Sequence, residues 1–187
     1  VLDVNGEFEM SSTTTETISG GTIYCEGVFD GVNCQAFNPT GGTVVLEINT
    51  GTGTTISPMS LGNNTAVSST FGGTSHFYNL TIDDGYVYPL DGYSTCIKND
   101  LTLLNAGSID VYGQIYLEGD LVTGCSGTTS YSSSGCGRFT TGYGTCYLIL
   151  TGSADQSIGS LNANQMTVII EKSVSYTHLR AHETLSY

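Results

Sequence analysis

Pairs of apolar residues separated by a single position recur along the chain, each followed within a few residues by Gly, Asn or Asp. Leu2/Val4 precedes Gly6, Ile23/Cys25 precedes Gly27, and Val44/Leu46 precedes Asn49. Leu80/Ile82 precedes Gly85, Leu101/Leu103 precedes Asn105, and Leu121 precedes Gly124, before Cys146/Leu148 and Met166/Val168 complete the series. The first members lie 21, 21, 36, 21, 20, 25 and 20 residues apart. Alternation of period two predicts short strands with one buried face. Recurrence near 20 residues predicts that each group of strands is one turn of a solenoid.

The two long steps predict two inserted loops. One covers about 50–75, where Gly, Ser, Thr and Asn are dense. The other covers about 124–137 (GCSGTTSYSSSGCG), a loop composition. A second similarity recurs at an offset of 102 residues: Phe37–Ser57 aligns without gaps on Phe139–Gly159, with Phe37/Phe139, Gly42/Gly144, Thr43/Thr145, Leu46/Leu148 and Ile56/Ile158 coinciding.

No window places apolar residues at 3, 4 and 7 over several turns, and β-branched residues dominate between Gly-rich corners, so helix is not expected. A propeller blade needs about 40–45 residues, and the leucine-rich consensus is missing. The expectation is therefore an all-β chain, a parallel β-helix (β-solenoid) of about 20–21 residues per rung with two inserted loops. Rungs stack about 4.8 Å apart, so eight or nine would build a rod of roughly 40 Å. The competing architecture is a sandwich of antiparallel hairpins.

Composition narrows the function classes. The chain has 187 residues, suited to one domain. Four Lys and Arg stand against 17 Asp and Glu, a formal charge of −13. Nucleic-acid binding rests on a cationic surface, as does attraction to an anionic membrane, and neither fits this balance. No stretch of 18 apolar residues is present, so no membrane insertion is expected. The apolar fraction of 39% is rich in Val, Ile, Leu, Tyr and Phe, enough to build a core.

The quoted rungs carry a family resemblance. LDVNGEF (Leu2–Phe8), GGTIYCEGVF (Gly20–Phe29), FNPTGGTVVLE (Phe37–Glu47), FYNLTIDDG (Phe77–Gly85), NDLTLLNAGSIDVYGQIYL (Asn99–Leu117) and TGSADQSIG (Thr151–Gly159) resemble the repeat arrays of secreted bacterial surface and adhesin-like β-helix proteins. The resemblance covers nearly all of residues 1–173. It implies a right-handed helix and a non-catalytic structural or adhesion segment, secreted or held at the cell surface. The implied partners are neighbouring β-helix rungs of a full-length protein and a glycan or cell-surface protein. Each motif is a rung and not a chemical signature. The alternative is a β-helix enzyme degrading polysaccharides, a lyase or glycoside hydrolase.

The last residues break with this pattern. Ser175–Thr184 (SYTHLRAHET) resembles the conceptual translation of a transposon-type sequencing adapter. That resemblance implies that 174–187 is a non-native tail, disordered and adding no rung. His178 and His182, four apart, are then no metal pair.

Candidate sites are few. Cys125 and Cys136 bracket the Ser-rich loop and would close a short disulfide loop in an exported protein, with Cys25 and Cys34 as the second candidate pair. Cys96 and Cys146 remain, and Cys146 aligns with Val44 as a small buried residue. Six cysteines permit 15 pairings. Zinc lacks a CxxC pair, and His76 is the one imidazole before the tail. Asp83 and Asp84 are weak Ca²⁺ candidates without a DxDxDG-like loop; no cofactor is expected. Asp83, Asp84, Asp91, Asp110 and Asp120 are the candidate carboxylates of a glycosidase pair. Adjacent Asp83 and Asp84 at a corner, however, are expected to diverge or face solvent, and Asp110 and Asp120 alternate with inward positions and are expected on solvated strand faces. Tyr86, Tyr88, Tyr112 and Tyr116 alternate with presumed inward residues, which would set rings on one outer face as a possible binding surface. The competing reading is that they only cover strand faces.

Overall fold

The structure, a computed structural model, describes residues 1–6, 8–9, 15–16, 18–26, 29–30, 36–47, 76–83, 86–87, 94–104, 108–110, 114–124, 138–140, 146–159, 162–164 and 166–172. Both expected loops, apart from Gly124, and the expected tail lie outside these residues.

Among the described residues every element is a strand. The first rungs run β1 (Leu2–Val4), β2 (Phe8–Glu9), β3 (Thr15–Glu16), then β4 (Ser19–Cys25), β5 (Phe29–Asp30), β6 (Ala36–Phe37). After β7 (Gly41–Glu47) come β8 (Asn79–Asp83), β9 (Tyr86–Val87) and β10 (Ser94–Ile97). Next follow β11 (Leu101–Leu104), β12 (Ser108–Asp110) and β13 (Gln114–Leu117). The series ends with β14 (Leu121–Thr123), β15 (Arg138–Thr140), β16 (Cys146–Leu150), β17 (Asn162–Asn164) and β18 (Met166–Ile170).

All pairings between these strands are parallel, which excludes the hairpin sandwich. One sheet has the order β1-β4-β7-β8-β11-β14, a second β10-β13-β16-β18, and a third β9-β12-β15-β17. Two-stranded sheets β2-β5 and β3-β6 belong to the first rungs. Most strands that neighbour in space are separated in sequence by two strands on other sheets, with β15/β17 and β16/β18 separated by one and β7/β8 consecutive among the described strands; this wound parallel order is the signature of a β-solenoid.

Register turns the period-2 pattern into continuous apolar columns. Leu2, Ile23, Val44, Leu80, Leu101 and Leu121 stack in the six-stranded sheet, and Ile158 extends the column by an isolated bridge. Val4, Cys25, Leu46, Ile82 and Leu103 form the column beside it. In the second sheet Ile97, Leu117, Leu150 and Ile170 stack, with Thr95, Ile115, Leu148 and Val168 alongside. Phe77 carries the first of these downward, bridged to Ile97. Side chains from both sheets meet in one core that includes Leu46, Leu80, Leu101, Leu103, Ile97, Leu117 and Leu148. Phe37 and Phe77 pack edge to face there, 6.0 Å between centroids. Each such side chain contributes about 1.5–3 kcal/mol by leaving water.

The GGT motif has a backbone reason. Gly21 and Gly42 stand in adjacent rungs with φ of 89° and 88°, at a register shift between β4 and β7. A Cβ on Gly42 would stand 2.8 Å from the Gly21 carbonyl oxygen, so both the dihedral and the close approach of backbones demand glycine.

Two expectations need correction. The 25-residue step from Leu121 to Cys146 is not a step between stacked strands, because β16 belongs to the second sheet. The residue that stacks on Leu121 is Ile158, 37 positions on. Similarly, the 102-residue internal copy places β7 in the six-stranded sheet and β16 in the second. The two segments share a corner-and-strand pattern, not a position. The described residues carry this column through seven levels, fewer than the eight or nine rungs expected.

Candidate functional site

The densest polar arrangement lies at the corner entering the six-stranded sheet, one residue before each inward Leu or Ile. Asn79, Asp100, Asp120 and Ser157 occupy this position at successive levels. The Asn79 Oδ1 accepts from the Asn99 amide (2.8 Å) and from the Asp100 backbone N–H (3.2 Å). The Asp100 Oδ1 accepts from the Asp120 N–H (2.9 Å), and the Asp120 Oδ1 from the Ser157 N–H (2.7 Å). Below them, the Asn79 side-chain amide donates to the Gly42 carbonyl at 2.9 Å. Each side chain therefore satisfies a corner N–H of the next rung that the sheet ladder leaves over. Asp120, expected as a solvated strand-face residue, is half-buried and serves as such a cap.

Beside this corner Lys98 Nζ meets Glu118 Oε1 at 2.8 Å across adjacent rungs, with both side chains about 30% exposed (31% and 27%). Gln156 reaches back to donate to the carbonyls of Leu117 (3.0 Å) and Gly119. Its Oε1 is buried with no hydrogen-bond partner among the described residues. His76 Nε2 lies 3.0 Å from the Pro39 carbonyl, which fixes the proton on that nitrogen. Burial, the largest influence, lowers the His76 pKa.

The outward column of the second sheet differs. Cys96, Tyr116 and Ile149 stack there and are buried, with Tyr147 and Ile169 packed against them. Tyr116 is 5% exposed, so it cannot be part of an open binding face as expected. Its ring packs in the column and its hydroxyl donates to Gln114 Oε1 at 2.9 Å. Burial raises its pKa and pushes the Cys96 thiol up to about 11. A thiol so protonated is a poor nucleophile.

Of the other tyrosines, Tyr86 pairs through its backbone with Ser108, while Tyr88 and Tyr112 lie outside the described residues. Tyr24, not singled out by alternation, is an exposed ring on the outer face of the six-stranded sheet. Its signal was present: it stands between the inward Ile23 and Cys25. Cys25 is buried in the core column, its thiol 3.5 Å from the Gly6 carbonyl. Cys34, Cys125 and Cys136 lie outside the described residues, and the described residues contain no disulfide. Asp83 ends β8 in register with Glu47; Asp84, Asp91 and their surroundings are outside the description. Among the described residues no three His, Cys, Asp or Glu side chains are grouped to hold a metal ion. Among the described residues no helix is long and apolar enough to cross a membrane.

Comparison of the chain with protein-family models, with curated proteins and with solved structures finds no match.

Proposed function

We propose that this chain is a non-catalytic structural or adhesive segment of a secreted bacterial surface protein, a stretch of rod that spaces or presents other parts. The observation that supports this reading is the corner ladder. Asn79, Asp100 and Asp120 each direct an oxygen along the rod axis onto the next rung's backbone. Their chemistry is used for stacking. The Lys98–Glu118 pair and the Gln156 clamp also join rungs, so the polar groups near this corner repeat a mechanical task level by level. The −13 charge on such a rod keeps it soluble and repels other acidic surfaces. Adhesion would use outward rings such as Tyr24 against a glycan or a cell-surface protein.

The test pairs a glycan-array and cell-adhesion assay with a reducing-end assay on pectin, alginate and related polyanions. The expected result is no turnover, with any binding weakened by Tyr24→Ala. Turnover abolished by Asp100→Asn or Asp120→Asn in a variant that still folds would replace this reading with a polysaccharide-degrading enzyme.

A further inference from the structure

We draw no further inference here: the strongest candidate, the buried apolar patch that Cys96, Tyr116 and Ile149 form on the outward face of the second sheet, carries nothing because nothing among the described residues shows what covers it.

Discussion

The outer faces of the two best-described sheets follow different rules. On the six-stranded sheet the outward central column is Asp3, Tyr24, Val45, Thr81, Thr102 and Val122, where only Val45 is buried. On the second sheet the outward column holds Cys96, Tyr116 and Ile149, all buried. The outward column of the first sheet is mostly wet, whereas that of the second is apolar and buried. Alternation of period two therefore names the two faces of a strand without saying which one meets water.

The largest effect should separate the two faces of a single strand. Leu103→Asp places a charge in the shared core and should cost about 3–5 kcal/mol or prevent folding. Thr102→Asp, its neighbour on the wet face, should cost about 0.5 kcal/mol or less. Urea denaturation of both checks the contrast, and equal losses would break it. On the second sheet the outward residue should behave like a core residue: Tyr116→Ala is expected to lose about 2–4 kcal/mol, far more than Tyr24→Ala, in the same measurement.

Cys96 supplies a pH-dependent version of the comparison. Its thiol ionises near 9 when unfolded and at about 11 in the folded chain because burial penalises the thiolate. Between those values the unfolded state has already lost the proton that the folded state keeps. Its share of stability is complete below pH 9 and falls as the pH rises toward 11, by roughly 2 kcal/mol. The slope of stability against pH should flatten in Cys96→Ala. Next comes the corner: Asp120→Ala removes the acceptor for Ser157 N–H and should cost about 1 kcal/mol by thermal melts. Smallest is Lys98→Met, where a partly exposed ion pair should be worth about 0–1 kcal/mol and less at high salt.

The five apolar pairs from Leu2/Val4 to Leu101/Leu103, with Leu121, are legible in the sequence because all belong to one sheet and recur at the rung length apart from the one 36-residue step. Cys146 and Met166 carry the same local pattern but sit on the second sheet, since an inward Leu looks alike on every face of a solenoid. Tyr116 was misplaced for a related reason. Alternation correctly turns it away from the core, but burial of the outer column depends on what packs over the sheet, which no local pattern encodes. The roles of Asn79, Asp100 and Asp120 depend on hydrogen bonds over 20 to 37 residues of separation. Only the known register brings those positions together.

The register shows one property more. Val44 rests on Leu80 across 36 residues of chain and Leu121 under Ile158 across 37, yet Leu80 and Leu101 are stacked across 21. The contour length between neighbours nearly doubles while the rise stays one strand spacing. Height along the rod is thus decoupled from length of polypeptide. At those two corners evolution or an engineer can splice in additional sequence without moving the rungs above, so the solenoid acts as a ruler whose graduations are indifferent to what hangs from them.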